Sequence, residues 1–292
     1  MYNRLIREIV QDRAHGAGWL SRRALAILKT AALESRAASA DELLAELAGL
    51  GGRLLGSRPS MSPLANQVAL CYGKALSLAR GGRSVAELRT AVSAVAGELE
   101  RAAERASLLT AREGARLIED GDTVATGSYS SIVCQVLTLA RDSGKRFRIL
   151  VAESQSGGEP FGEMLRFELS RRGMRATVFA DIRLERQVKK ADKVIVGADM
   201  VLHDGSIVNG YPSLRLARAA SAAGIPFYCV CETAKFCGRS EIQIEPGFDY
   251  VPAELVTAVV TERGECGRDA IVRYCRTMSK HVRMLEASAR RD

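Results

Sequence analysis

The spacing of hydrophobic residues divides the chain at about residue 118 into a helical part and a part of alternating strands and helices. In the amino-terminal part, Val85, Leu88 and Val92 recur at helical spacing, and the surrounding sequence is rich in Ala and Leu and poor in Pro. Such a narrow apolar stripe is typical of helices that pack in a bundle. The pattern predicts a helical domain over residues 1–118.

Two capping-box signatures predict where helices of this domain begin. Ser39 and Glu42 open one apolar run, and Ser84 and Glu87 open a second, longer one. A basic segment, Arg4–Arg23, is expected to form a helical arm before them. The capping boxes therefore predict helix starts near residues 39 and 84.

After Asp122 the pattern changes to short apolar runs that alternate with helical ones, and Gly144, Gly173 and Gly224 are stop signals between a helix and the next strand. The expected strands are Thr123–Thr126, Phe147–Ala152, Ala176–Phe179, Val194–Val196 and Phe227–Val230. The expected helices are Ser131–Ser143, Gly162–Arg172, Arg183–Ala191, Ser213–Ala223 and a return to helix over Phe248–Met278. This alternation predicts an α/β fold, with a Rossmann-like parallel sheet over residues 119–292.

Composition limits the function classes. The net charge of +8 is compatible with nucleic-acid binding, but the chain has one Trp and 5% aromatic residues, and its Arg residues are scattered beside Glu. We therefore expect solvated helix faces, a preference for anionic ligands and no direct nucleic-acid contact. Without a secretion signal or a membrane-spanning run, the expected location is the cytoplasm. Seven Cys and only three His favour buried thiols, so neither a metal site nor a cofactor is expected.

Candidate chemistry lies where the strands end. In a parallel sheet these ends share one edge, and ligands gather there. The polar residues selected at these positions are Ser128, Tyr129 and Ser130; Glu153 and Ser154; Asp199, Asn209 and Ser213; and Lys235. Carboxylates can hold sugar hydroxyls, whereas Lys and helix-start N–H groups can hold phosphate. The pattern predicts a small, polyhydroxylated, phosphorylated ligand, and no dinucleotide or P-loop motif is present.

Several of these residues also have structural interpretations. On spacing alone, Asp199 is equally compatible with capping the turn that follows its strand. Tyr129 could pack against the neighbouring domain, and Glu153 could pair with an Arg. The residues by themselves leave these alternatives open.

Five motifs in order carry a family resemblance: TGSYSS, VAES, GADMVLHDGSIVNG, PFYCVCETAKF and FDYVPAELVTAVVTE. Over Thr123–Glu262, with an echo at Ser57–Asn66, the chain resembles a superfamily of sugar-phosphate isomerases and translation-factor subunits. These are the alpha, beta and delta subunits of translation initiation factor 2B, ribose-1,5-bisphosphate isomerase and methylthioribose-1-phosphate isomerase. The resemblance implies a ligand cleft between a helical and a Rossmann-like domain. It also implies a homodimer formed through the carboxy-terminal domain, with higher oligomers as an option.

The resemblance also implies roles for individual residues. In the isomerases an aspartate of the GAD motif works with a cysteine in the loop after the first strand; these positions are Asp199 and Ser128 here. A serine hydroxyl needs an activating base to replace a thiol. The family's usual lysine and arginine are replaced by Gly210 and Gln155, which leaves Lys235 as a phosphate partner.

Arg58, in the amino-terminal echo of the resemblance, is the second expected phosphate partner. The leading hypothesis is an initiation factor 2B alpha-like protein that binds a phosphorylated sugar or a nucleoside monophosphate in the cleft between the domains, non-catalytic or with an altered activity because Ser128 stands at the family cysteine position. One alternative is an aldose-1-phosphate to ketose-1-phosphate isomerase. Another is a regulatory translation-factor subunit that acts only through protein contacts.

Overall fold

The computed structural model describes residues 2–13, 15–239 and 241–290, which form two compact units. The first unit comprises the described residues of Met1–Glu104, Phe236–Gln243 and Arg273–Asp292. The second comprises Arg105–Lys235 and Ile244–Val272. The domain assignment to residues 1–118 and 119–292 stays a prediction.

The amino-terminal region is helical, as the hydrophobic spacing predicts. Its helices are α1 (Tyr2–Gln11), α2 (Ala17–Glu34), α3 (Ala40–Leu55), α4 (Ser62–Arg80) and α5 (Val85–Arg116). Helix α4 packs against α2 and α3, and Leu20, Leu43 and Leu64 are fully buried. The apolar stripes of these helices therefore supply the core of the first unit.

Both serines cap their helices as predicted, and the reciprocal bond from the cap N–H to the Glu carboxylate forms at Ser84, at 2.9 Å, but not at Ser39. The Ser39 hydroxyl accepts a hydrogen bond from the Glu42 N–H at 3.2 Å, and the Glu42 carboxylate accepts one from the Ala38 N–H at 2.7 Å. The Ser84 hydroxyl accepts from the Glu87 N–H in the same way. These contacts satisfy N–H groups that the first helical turn leaves without partners.

After α5 the strands and helices alternate. They are β1 (Thr123–Thr126), α6 (Ser131–Asp142), β2 (Arg148–Ala152), β3 (Gln155–Ser156), β4 (Glu159–Pro160), α7 (Phe161–Arg171), β5 (Thr177–Phe179), α8 (Leu184–Val188), β6 (Lys193–Val196), β7 (Met200–Val201), β8 (Ile207–Gly210), α9 (Ser213–Ala223), β9 (Phe227–Val230), β10 (Phe248–Val251), β11 (Ala258–Thr261), β12 (Gly264–Cys266) and α10 (Arg268–Ala289). The five predicted strands are all present, with ends shifted by one residue at most.

The main sheet has the strand order β12-β11-β9-β6-β1-β2-β5. All of its pairings are parallel except the edge pair β11–β12. Taken in chain order, the six parallel strands follow the doubly wound arrangement 3-2-1-4-5-6, in which the winding direction reverses between β1 and β6. The α/β fold class is confirmed, and this reversal point is where ligands bind in such sheets.

The predicted return to helix over Phe248–Met278 is wrong for most of that segment. It contains three strands, β10, β11 and β12, before α10 begins at Arg268. The run Ala258–Thr261 is fully buried and pairs with β9 in the main sheet. A short apolar run of this kind fits a buried strand or a buried helix equally well. Here the run forms a strand because β9 is available to pair with it.

The predicted helix Arg183–Ala191 is also shorter than expected. A 3-10 turn at Asp181–Arg183 leads into α8, which ends at Val188. None of the helices formed by the described residues has the length and apolar composition needed to cross a bilayer.

Candidate ligand site at the carboxyl edge of the sheet

The loops that follow β1 and β6 lie side by side at the reversal point of the sheet. Val124 and Ala125 pair with Lys193 and Val194, so both strands end at the same level. A Cβ added to Gly197 would lie 2.5 Å from the Ser130 hydroxyl oxygen. Glycine at this position therefore allows the turn after β6 to approach the start of α6.

Ser128 is held in a strained backbone conformation at this point. Its φ is +61°, in the left-handed region that costs energy for a residue other than glycine. Its N–H donates a 2.6 Å hydrogen bond to the Ser154 hydroxyl. Its own side chain lies against Gly210, where an added Cβ would overlap the Ser128 hydroxyl.

Ser154 and Asp181 support this conformation from the neighbouring strands. Ser154 is fully buried, has a φ of +58°, and donates its hydroxyl to the Ala152 carbonyl at 3.0 Å. The Asp181 carboxylate accepts from the N–H groups of Ser154 and Gln155 at 2.9 and 3.0 Å. Ser154 therefore positions Ser128, and Asp181 positions Ser154.

Asp199 lies three residues beyond the end of β6. Its N–H donates to the Val208 carbonyl at 2.8 Å, and its Oδ1 lies 3.6 Å from the Lys235 Nζ. The two side chains are only 18% and 11% exposed. At this distance they form an ion pair rather than a direct hydrogen bond. The structure thus brings together two of the predicted site residues, one acid and one base.

Asn209 and Ser213 belong to an internal hydrogen-bond chain at the β8–α9 junction. The Asn209 side-chain amide donates to the Ser213 hydroxyl at 2.8 Å, which donates to the Gly210 carbonyl at 2.7 Å. Both residues are buried. Their geometry fixes the path of the chain between Gly210 and α9.

Asp249 occupies the start of α9 in the same region. Its Oδ2 accepts a 3.0 Å hydrogen bond from the Leu214 N–H. Burial raises the pKa of the Asp249 carboxyl above its ordinary value, while the Leu214 hydrogen bond opposes this rise. A carboxylate already bound at this helix start disfavours a second anion there.

Two other predicted site residues, Ser130 and Tyr129, directly precede α6. The Ser130 hydroxyl accepts from the Val133 N–H at 3.4 Å and so caps α6. Tyr129 packs against the hydrophobic core. The pKa of its phenol is raised, mainly by burial and to a smaller extent by the negative charge of the nearby Glu168. These contacts give Tyr129 a packing role within its own unit; packing against the neighbouring domain stays a prediction.

Glu153 and Arg58 complete the predicted set. Glu153 is half-buried and accepts from the Gln155 amide at 3.2 Å. Arg58 belongs to the first unit, is 2% exposed, and donates to the Asp12 carbonyl at 2.7 Å. The motif that contains Arg58 is held within that unit, where the Asn66 amide donates to the Phe236 carbonyl at 2.7 Å.

Sequence reasoning assigned no supporting role to Asp181, Gly197 or Gly210. Asp181 lies two residues after the third predicted strand, Ala176–Phe179, and this position is the signal that could have identified it. Nothing in the sequence indicates which side chains lie beside the two glycines. Their roles depend on contacts with residues far away in the chain.

Two cysteines lie close together beside the site. The Cys229 and Cys231 sulfurs are 3.9 Å apart, and both residues are fully buried. Hydrogen bonding to Cys229, together with burial, raises the pKa of the Cys231 thiol. Within the described parts of the chain, no group of three or more His, Cys, Asp or Glu is placed to hold a metal ion.

A separate cavity of about 800 Å³ lies between α4 and α5 in the first unit. It is lined by residues such as Lys74, Leu78, Ala91 and Glu98, and by none of the predicted site residues. The candidate site is therefore defined by its hydrogen bonds and its position in the sheet.

Comparison with known proteins identifies the family. The sequence profile of the initiation factor 2 subunit family matches residues 13–245. The chain belongs to this family. The match includes both the Ser57–Asn66 motif and the strand-end motifs, so it extends over both compact units.

Individual relatives cover nearly the whole chain. An "eIF-2B subunit 2-like" protein of Pyrococcus abyssi is 30% identical over 89% of this chain and 94% of its own length. Ribose 1,5-bisphosphate isomerase of Haloferax volcanii is 29% identical over 91% of this chain and 88% of its own. The crystal structure of translation initiation factor eIF-2B from Pyrococcus horikoshii, 30% identical, superposes with a TM-score of 0.79 and covers 92% of this chain and 98% of that one.

Proposed function

We propose that this member of the initiation factor 2 subunit family binds a phosphorylated sugar or a nucleoside monophosphate at the carboxyl edge of its sheet, without converting it. The Asp199–Lys235 pair supplies a carboxylate for sugar hydroxyls and an ammonium for phosphate. The α6 start supplies N–H groups that favour an anion. Both lie at the reversal point of a doubly wound sheet, where such ligands bind.

The proposal that the protein does not convert its ligand rests on the environment of Ser128. Within residues 2–13, 15–239 and 241–290, no group makes a hydrogen bond with the Ser128 hydroxyl, whose neighbour is Gly210. A serine hydroxyl is a poor proton donor and nucleophile unless a base activates it. We therefore expect Ser128 to contact the ligand without exchanging protons with it.

Ligand-induced stabilisation tests the binding proposal. Ribose 1,5-bisphosphate, ribose 5-phosphate and adenosine monophosphate are each added at increasing concentration while Tm is measured. A ligand present at about 100 times its Kd raises the free energy of unfolding by about 2.7 kcal/mol. Asp199→Asn should abolish the shift, whereas Asp142→Asn, a matched change of an exposed carboxylate, should leave it intact. If none of the three compounds moves Tm, the proposal fails.

An aldose–ketose isomerase is the second candidate. It is favoured by the presence of Asp199 at the position of the family acid and by the similarity to the Haloferax volcanii isomerase. Phosphorus NMR of ribose 1,5-bisphosphate incubated with the protein decides between the two. A ketose product that disappears in Asp199→Asn supports the enzyme, and binding without product supports the first proposal.

We also propose that the protein is a homodimer, on the basis of the family resemblance. Light scattering of the purified protein measures this directly. A mass near twice 31.5 kDa supports the dimer, and a monomer at micromolar concentration contradicts it. A larger mass indicates the higher oligomer that the resemblance also allows.

A further inference from the structure

The outer face of α10 carries a row of basic side chains. Arg273, Arg276, Lys280 and Arg283 are all exposed and follow one another at intervals of three, four and three residues. At 100° per residue they fall within an arc of about 80°, and the row is about 15 Å long. We call these four residues the basic face.

The basic face has no acidic partner within the structure. No Asp or Glu lies between Arg273 and Arg283; Asp269 precedes the row by one turn on the same side of the helix, and Glu286 follows it by three residues. None of the ion pairs formed by the described residues includes any of the four cations. The row is therefore a concentration of positive charge whose members are not ion-paired with any described carboxylate.

Helix α7 shows the alternative arrangement. There Arg166 pairs with Glu163 at 2.6 Å, and Arg171 pairs with Glu168 at 3.6 Å. Such i,i+3 pairs neutralise the arginines of an ordinary solvated helix surface. Helix α10 has a similar density of basic residues without the paired acids, which sets its surface apart.

The inner face of α10 holds the row in place. Cys275, Val282 and Leu285 are buried, and Leu285 lies against Gly51 of α3. The Tyr274 ring packs beside Phe236 with centroids 5.5 Å apart. Because the helix is fixed by its apolar side, the four cations are presented on a rigid support rather than on a mobile tail.

The side chains beside the four cations indicate which class of negatively charged partner the basic face can bind. The exposed uncharged residues of α10 are Thr277 and Ala287, and the large apolar residues beside the cations, Val272 and Met284, are only partly exposed. The face therefore has no fully exposed large apolar side chain. Binding in a membrane interface requires an apolar face, and stable protein interfaces usually have aromatic or aliphatic anchors. A nucleic-acid backbone requires neither, since counterion release at phosphates is sufficient.

We propose that the basic face binds the phosphodiester backbone of a nucleic acid, independently of base sequence. The absence of an exposed aromatic residue in the row leaves no platform for base stacking, so recognition is electrostatic. This inference does not depend on the ligand site of the second unit. It also revises the expectation, drawn from the scattered arginines, that nucleic acid is not bound directly.

The test measures fluorescence anisotropy of a labelled 20-nucleotide single-stranded RNA and of a 20-base-pair DNA duplex with the full-length protein. With four phosphate contacts, log Kobs should fall with log salt with a slope of about −3 for the single strand. Arg276→Glu combined with Lys280→Glu should weaken binding roughly tenfold or more at low salt and flatten this slope.

Arg101→Glu combined with Arg105→Glu is the matched control, because it changes the net charge equally on the exposed surface of α5. Circular dichroism and Tm check that both variants are folded. Loss of binding in the α10 variant alone supports the proposal. Comparing the RNA with the DNA duplex then shows which of the two nucleic acids, or whether both, are bound. Equal losses in both variants, no binding of either nucleic acid, or binding only to anionic lipid vesicles would overturn it.

Discussion

The carboxyl edge of the sheet and the basic face of α10 use polar residues in opposite ways. At the sheet edge Ser154 donates and accepts defined hydrogen bonds, and Asp199 is paired with Lys235. Asn209 and Asp249, which lie opposite each other on β8 and β10 of a separate three-stranded sheet, also have defined partners. On α10 the cations have no acidic partner within the described structure. Partnered and partly buried groups fix a geometry and affect stability when changed, whereas exposed unpaired charges affect mainly what the protein attracts. The comparison therefore separates residues that build a site from residues that only present a charge.

The largest expected effect lies at the backbone of the sheet edge. A Cβ added to Gly162 would overlap the Ala152 carbonyl oxygen, which as part of a strand cannot move aside. Gly162→Ala should lower the free energy of unfolding by about 3 kcal/mol. Gly18→Ala is the control, because nothing lies near Gly18 in α2 and the change should stabilise the helix by about 0.5–1 kcal/mol. Urea unfolding measures both.

The next largest effect tests the Asp199–Lys235 pair. Asp199→Asn leaves the Lys235 ammonium without its carboxylate in a site that is 11% exposed, and should cost about 1–2 kcal/mol. Lys235→Met in the same protein should recover part of this loss. A double-mutant cycle with no coupling between the two changes would show that the pair does not act as a unit.

A smaller effect on the free energy of unfolding, of opposite sign, is expected at the strained backbone of Ser128. Ser128→Gly removes the steric cost of a positive φ and should raise the free energy of unfolding by about 0.5–1 kcal/mol. The same change should reduce ligand-induced stabilisation if the hydroxyl contacts the ligand. Ser130→Gly, which removes the α6 cap instead, should destabilise. A Ser128→Gly protein that is less stable than the parent would rule out stored strain.

Asp249 should give a pH effect of known sign. Its carboxyl has a pKa raised by burial, so the folded protein binds this proton more tightly than the unfolded chain, whose Asp pKa is about 3.9. Its contribution to stability is therefore complete below that value and is lost as pH rises through the folded pKa. Relative to Asp249→Asn, the parent protein should lose stability between about pH 4 and the higher folded value. A constant difference in Tm across this range would contradict the assignment.

The smallest effect on stability is expected on α10. Arg276→Gln combined with Lys280→Gln should change the free energy of unfolding by less than about 0.5 kcal/mol, since no ion pair is lost. This contrasts with Arg166→Gln on α7, which breaks a 2.6 Å pair with Glu163. A large destabilisation on α10 would show that the basic face has a structural role, and the comparison with the sheet edge would no longer hold.

Much of the fold could be predicted because its signals are local. The capping box at Ser39 and the helical stripe around Leu88 are determined by residues within a turn or two of each other. The strand ends could also be located, because the apolar run before Gly197 stops abruptly. The same signal predicts Asp199 as a site residue, although it does not indicate that Lys235 is its ion-pair partner.

The rest required contacts between distant parts of the chain. Ala258–Thr261 became a strand because β9 was available beside it, and the Asp199–Lys235 pair joins residues 36 positions apart. The spacing of Arg273 and Arg276 is visible in the sequence, but the sequence does not show that neither residue is ion-paired with any other described residue.

The helical and strand periods, the helix caps and the positions of Ser128 and Asp199 after their strands can be predicted from the sequence alone, since they follow from backbone geometry and local hydrogen bonding. Which of these residues meet depends on the tertiary structure. Ser128 lies against Gly210 and is supported by Ser154 because β1 and β2 of the main sheet are brought close to β8 of the three-stranded sheet. Contacts of this kind depend on the arrangement of strands, which long-range packing selects and no local pattern specifies.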